Sequence, residues 1–465
     1  MRPPGGVLRF LCALALIAPA LAAEAPWKAG LASIPITPGK SMWMAGFGAR
    51  TKPSEGALHE LYVKALALED RTGRRAVLVT SDLVGFSAAM TQLIADQARR
   101  RYGLPRDRLI LNSSHTHSGP LLANPLSIWL TGRLSAEQER DVEEYTRDVE
   151  QKVVAVVGAA LADLRPARLS FGHSRATFGV NRRIKTESGW ASFRANPDGP
   201  SDPDVPFLRL DSPEGRLRGV VFGYACHTST LLPDNYRFSG DYAGFAQEWL
   251  EKQHPGALAL FVAGCGGDIG AAPRGTVELA RKHGETLAAA VGGAMDGPAM
   301  PVDGPLKTAF EVFPVAFAPP PSRAEFQARL QHKDVYTRQH AEEMLRMLAR
   351  DGRLPTVYPY PLQVWQFGPD LTLVALAGKA VVDYALRLKK ELSRDRVPPG
   401  RGAVWVAAYS NDVFAYIPSL RVLKEGGYEG GEATVGARLP GPFAPDIEER
   451  IIGKVHELVR KVRRR

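Results

Sequence analysis

The sequence predicts a layered α/β fold, and three observations carry that reading. Short apolar runs recur along the chain, and each empties into a polar loop. Stretches of helical period lie between several of these runs, the alternation that builds α/β layers. The composition, 45% hydrophobic against 23% charged, is that of an ordinary globular protein rather than a disordered or fibrous one. At 465 residues the chain is long for one core but within reach of a large α/β domain.

The first residues stand apart. Met1-Arg2 and Arg9 are basic, residues 11–20 are apolar, and Leu21-Ala22-Ala23 leads to Glu24. That order predicts a secretory signal peptide over residues 1–23, cleaved after Ala23, and a secreted or periplasmic domain over residues 24–465. The apolar run is shorter than the roughly 20 residues a membrane span needs. Cys226 and Cys265 then remain, and an exported compartment permits a disulfide between them. The net charge of +10 comes from scattered basic residues, apart from the tail 461–465. With no nucleic-acid motif in the chain, this charge points to solubility or to contact with an anionic membrane surface, and not to nucleic acid.

Residues 31–38 read as a short strand broken by prolines, and residues 41–51 as a Gly-rich loop carrying Trp43, Met44 and Phe47. Residues 62–70 and 75–82 form a strand pair around a turn at Thr72-Gly73. Asp82 ends the second strand, a position from which active-site carboxylates project in α/β folds. Helical period follows over 87–102 and 135–164, with a strand opening at Leu109 between them. Strands are expected over 168–178, 207–210, 217–226 and 257–262, a helix after Tyr242 to about Gln253, and another over 276–292. A surface loop is expected over 185–205. The Pro-rich stretch 298–322 is a candidate internal boundary. Beyond it, Arg323 to Leu348 reads as one charged helix bearing His332 and His340 as solvated residues. Two strands within 362–376, a helix over 380–392 and a strand over 403–409 complete the pattern.

The chemistry concentrates after the strand that opens at Leu109. Asn112-Ser113-Ser114-His115-Thr116-His117-Ser118-Gly119-Pro120 sets two histidines at i and i+2, which on extended backbone share a face. Flanking hydroxyls offer hydrogen bonds to the rings of a metal site. Spacing alone leaves both a metal site and a polar turn open. A second strand repeats the logic, delivering His227-Thr228-Ser229, and a third feeds the backbone-rich loop Gly264-Cys265-Gly266-Gly267-Asp268.

Together with Asn181-Arg182, Ser239-Gly240-Asp241 and Asn411 to Tyr416, these motifs resemble the neutral/alkaline non-lysosomal ceramidase family, in order from about Ala29 onward. The resemblance implies layered mixed β-sheets flanked by helices, as in the family's catalytic domain, and no C-terminal immunoglobulin-like domain. It implies zinc held by His115, His227 and Tyr416, with His117 beside them and Arg182 binding a polar group of the substrate. The implied reaction is cleavage of an N-acyl amide in a ceramide-like lipid by water that the metal activates.

Two positions depart from the family pattern. Lys379, in Leu376-Ala377-Gly378-Lys379, stands where the family carries its ligand glutamate, and Gly270 stands where it carries an important serine. An ammonium about 4 Å from a divalent ion would be repelled by roughly 8 kcal/mol at a protein-like dielectric. Either another carboxylate (Asp82 foremost, then Asp268 or Glu429) completes the shell, or Lys379 is deprotonated, or no zinc is bound. His117 or Asp82 would then move protons, with Asp268 nearby. The alternative is a catalytically degenerate protein that binds a lipid or glycan without turnover. A less favoured route uses Cys265 as nucleophile.

Overall fold

The hairpin Tyr62–Asp70 with Arg75–Ser81 shows how local chemistry sets the architecture. Asp70 Oδ1 accepts from Thr72 N, Thr72 Oγ1 and Arg74 N at 2.6–3.0 Å, and Gly73 takes a left-handed φ of 77°. A carboxylate that gathers its own turn's donors, followed by glycine, fixes the reversal and hence the register. The computed structural model describes residues 26–123, 132–187, 189–394 and 402–464. The expected signal peptide over residues 1–23 lies outside the described residues.

The hairpin belongs to a nine-stranded sheet. Its main path runs Leu258–Ala263, Leu217–Tyr224, Asp204–Asp211, Arg165–Arg175, Trp27–Pro35, Tyr62–Asp70, Arg75–Ser81, Leu109–Ser113, with Met300–Val302 paired to Arg165–Arg175. Pairing is parallel at the two ends, Leu217–Tyr224 with Leu258–Ala263 and Arg75–Ser81 with Leu109–Ser113, and antiparallel between. A second mixed sheet orders Leu306–Ala316, Val357–Phe367, Leu371–Leu376 and Ala403–Ala407. Leu66, Leu78, Phe171 and Leu260 of the first sheet share one core with Trp365, Phe367, Leu373 and Trp405 of the second. Helices cover the outer faces, several of them begun by a cap that the sequence supplies. Ser87 caps Ala88–Tyr102, and Ser135 with Gln138 forms a capping box on Ala136–Ala162. The fold is the expected layered α/β type with mixed sheets.

Several expectations change. The Pro-rich stretch contains a full edge strand, Leu306–Ala316, whose Pro314 is tolerated because edge positions need fewer ladder donors. The single helix from Arg323 is two, Arg323–Arg329 and Val335–Asp351, with Asp334 capping the second. His332 lies exposed in the turn between them, but His340 is buried and its Nε2 meets Leu439 O at 2.7 Å. Which segment would cover that helix face was not encoded in the helix itself. The expected loop over 185–205 contains a small hairpin, Ile184–Thr186 with Gly189–Ala191. Cys226 and Cys265 are both buried free thiols, and burial raises both pKa values, so Cys265 has none of the exposure or acidity of a nucleophile. No described helix is long and apolar enough to cross a membrane.

Although the strands Leu109–Ser113 and Leu258–Ala263 end the path on opposite sides, a fully buried side chain ties them together. Asn112 Oδ1 accepts from Ala263 N at 3.0 Å, and its Nδ2 donates to Ala408 O at 2.7 Å and Ser410 Oγ at 3.0 Å. Asn112→Leu keeps the volume but leaves the Ala263 N–H without its acceptor in the interior. The expected loss is about 2–3 kcal/mol in urea unfolding. An unchanged midpoint would show that the clamp is dispensable.

Candidate metal centre

The loops after Leu109–Ser113 and Leu217–Tyr224 carry the histidines. His115 adopts a left-handed φ of 61°, so the chain turns at the first histidine rather than continuing as a strand. Convergence of the two rings therefore comes from this turn and not from strand alternation. Their Nε2 atoms lie 3.2 Å apart. His227 joins them from the other loop, and ligand atoms of all three fall within 4.8 Å of one another. Gly46, at φ 92°, backs the His117 ring so closely that a Cβ there would sit 2.5 Å from Cγ of the ring. Phe47 meets the same ring edge-on at 4.7 Å.

Each ligand ring is oriented by a carbonyl. His115 Nδ1 faces Val84 O, and His227 Nδ1 lies 2.8 Å from Gly266 O. A carbonyl only accepts, so both protons sit on Nδ1 and the Nε2 lone pairs face inward. The neighbouring hydroxyls serve elsewhere. Thr116 Oγ1 donates to Ser239 O at 2.7 Å and Thr228 Oγ1 to Ser114 O, latching the loops together instead of holding the rings. His117 Nδ1 is buried with no hydrogen-bond partner among the described residues.

Tyr416 OH lies 3.3 Å from His227 Nε2 and accepts from Arg182 Nη2 at 2.9 Å. The short parallel pair Lys379–Ala380 with Tyr416–Ile417 sets Lys379 beside it, with Nζ 4.6 Å from the Tyr416 ring centroid. Tyr409, which sequence reasoning did not single out, places its OH 3.2 Å from His227 Nδ1.

Burial, reinforced by the Lys379 charge, holds His115 down to about pKa 3. Burial also holds His117 and His227 well below the usual imidazole range, with His115 and Arg182 respectively as the next causes. All three are neutral at physiological pH, the form a metal requires. Burial and then Arg182 lower the Lys379 ammonium to about 8. Burial raises the Tyr416 phenol, although Arg182 works against that.

The three carboxylates considered for the shell all turn elsewhere. Asp82 accepts from Tyr62 N at 2.9 Å and Gln247 Nε2 at 3.3 Å. Asp268 accepts from Val382 N at 2.8 Å and Asn181 Nδ2 at 3.1 Å, and burial lifts its pKa to about 6. Glu429 is taken up by Arg182 Nε at 2.9 Å, Arg183 Nη1 at 2.7 Å and Ser192 Oγ at 2.6 Å. None belongs to the histidine group. Asp82 thus sits at its strand end as expected, but its carboxylate is bound to the neighbouring backbone and helix. At Gly270 an added Cβ would meet only Arg182 carbons at 3.8 Å, so the glycine reflects no steric demand.

The histidines lie in a cleft of about 970 Å³, counting the space open at its mouth. Met44, Phe47, Leu121, Leu122, Val413 and Phe414 make its walls apolar, while His115, His117, Lys379 and Tyr416 supply the polar end. The Gly-rich loop over 41–51 was visible in the sequence, but not its place in this wall. Two neutral imidazoles with inward lone pairs and a third neutral ring beside them fit a borderline cation such as zinc. Such a cluster beside an apolar cleft defines a class of site able to hold a metal next to a lipophilic ligand.

Comparison with known proteins gives the family. The model of the neutral/alkaline non-lysosomal ceramidase family, N-terminal, matches residues 27–267, and the chain belongs to this family. Neutral ceramidase of Pseudomonas aeruginosa is 25% identical over 268 residues, 55% of this chain and 38% of that protein. Neutral ceramidase of Drosophila melanogaster is 22% identical over 272 residues, 56% of this chain and 37% of that protein. These matches span under two-fifths of the relatives' own length. The crystal structure of the Pseudomonas enzyme superposes with a TM-score of 0.74 at 19% identity, covering 94% of this chain and 74% of that one. A ceramidase complexed with C2 gives 0.71 at 18%, covering 92% and 74%. At these identities the structural likeness establishes the fold.

Proposed function

We propose that this chain is an exported, zinc-dependent hydrolase that cleaves an N-acyl amide of a lipid. The observation that carries the reading is a trio of neutral imidazoles, two of them oriented by carbonyls, at the polar end of an apolar cleft. His115 and His227, with Tyr416, would hold the ion, which when bound supplies Lewis acidity toward the scissile carbonyl and toward water. His117, with its unpartnered Nδ1, accepts and returns the proton that the hydrolysis moves. Arg182, clamped by Glu429, presents its guanidinium to a polar substrate oxygen, and the apolar walls take the acyl chain. Asp82 and Asp268 support the site through the backbone they bind rather than by touching substrate. Metal analysis of the purified mature protein tests this, with N-acyl amide hydrolysis measured before and after chelation. About one zinc per chain and chelator-sensitive hydrolysis are expected. Hydrolysis indifferent to chelation would sink the metal assignment.

Lys379 and the missing carboxylate favour a second reading, a protein that binds its lipid without turnover. Lys379→Glu separates the two. Reversing this charge beside the trio is expected to tighten zinc at least about a hundredfold, read by competition with a chromogenic chelator. Zinc binding and hydrolysis that appear only in this variant would establish the degenerate reading.

A further inference from the structure

Lys379 is the cation in the cleft whose counter-charge the described chain does not supply. Arg182 is matched by Glu429, and Arg183 by Glu425 and Glu429. Lys379 makes no ion pair among the described residues, and its contact is the face of Tyr416. The carboxylate of Asp412 acts on it electrostatically but is engaged by Ala88 N at 3.0 Å and Tyr358 OH at 2.7 Å. A ligand that fills the cleft would cover this ammonium and strip its water, which disfavours any headgroup that cannot pair with it.

Resting on the reading of the site as an N-acyl amide hydrolase, we infer that its substrate carries a carboxylate beside the amide, as an N-acyl amino acid does. The carboxylate pairs with Lys379 while the acyl chain lies along Met44, Phe47, Leu121 and Leu122. An α-carboxylate stands one residue's reach, about 3.5 Å, from the amide it neighbours. The cleft sets the two recognition points side by side, because Tyr416 meets Lys379 through its ring and His227 Nε2 through its hydroxyl, and Lys379, His115 and His117 line the same polar end. A glutamate at this position would repel the same carboxylate. The lysine therefore reverses the sign of charge that the headgroup meets.

Two ligands of nearly equal shape test the inference, N-dodecanoylglycine and N-dodecanoylethanolamine, titrated calorimetrically into the full protein as purified and after chelation. The glycine conjugate is expected to bind at least about ten-fold more tightly. Lys379→Met should equalise the two, and Lys379→Arg should keep the preference. Equal affinities in the unaltered protein, or a preference that survives Lys379→Met, would overturn the inference. Dodecanoate binding as tightly as N-dodecanoylglycine would also overturn it, since the site would then recognise a released fatty acid. Hydrolysis is followed separately. A ten-fold preference without turnover supports the carboxylate site and removes the hydrolase reading.

Discussion

The paired variant His115→Ala with His227→Ala is expected to purify without metal and to hydrolyse N-acyl amides at least about a thousandfold more slowly. Both rings present an inward Nε2 fixed by a carbonyl on the opposite nitrogen, so removing both leaves His117 as the one imidazole of the cluster. A lone imidazole with Tyr416 cannot replace a three-ligand shell. Folding should survive, because the loops are latched by Thr116, Thr228 and Asn112 rather than by the rings. Circular dichroism with metal analysis reads the two effects apart. Unchanged hydrolysis in this folded variant would refute metal-assisted chemistry at these residues.

Glu429→Ala should be the most damaging single change to stability. Its carboxylate is the shared partner of Arg182 and Arg183, whose side chains are 5% and 1% exposed. Removing one partner from a buried ionic network leaves an uncompensated charge, at a cost of about 3–5 kcal/mol. For a protein of this size, whose unfolding entropy is about 1 kcal/mol/K, that corresponds to a melting point lower by roughly 3–5 °C. Glu429→Gln keeps the shape and one acceptor, and should lie between the two. A shift below about 1 °C for the alanine variant would mean that Glu425 and Tyr416 already satisfy the guanidiniums.

Much of the framework was legible because burial writes itself into sequence as apolar runs. The hairpin around Thr72-Gly73, the strand leading to His115 and the capped helix after Ser135 are each set by residues within a few positions. The split between Arg323–Arg329 and Val335–Asp351 was hidden by the absence of glycine or proline in Leu330-Gln331-His332-Lys333; Asp334 as a cap was the available signal. At the centre, His115 and His227 lie together, with the Tyr416 hydroxyl beside His227. The convergence of His117 depends on one left-handed residue, which no periodicity reports. The destinations of Asp82, Asp268 and Glu429 depend on partners 20, 114 and 247 positions away, so the competition for each carboxylate could be read only in three dimensions.

The Asn112 clamp has a consequence for how the protein breathes. The His115 loop hangs from one edge strand of the sheet and the His227 loop from the strand beside the opposite edge, and the seam between the two edges is closed by a few polar contacts rather than by a continuous ladder. An ion shared by His115 and His227 would act there as a removable staple, joining segments more than a hundred residues apart. Loading the centre and fastening the seam are then one event, and slow hydrogen exchange at Leu111 and Ala263 would record both.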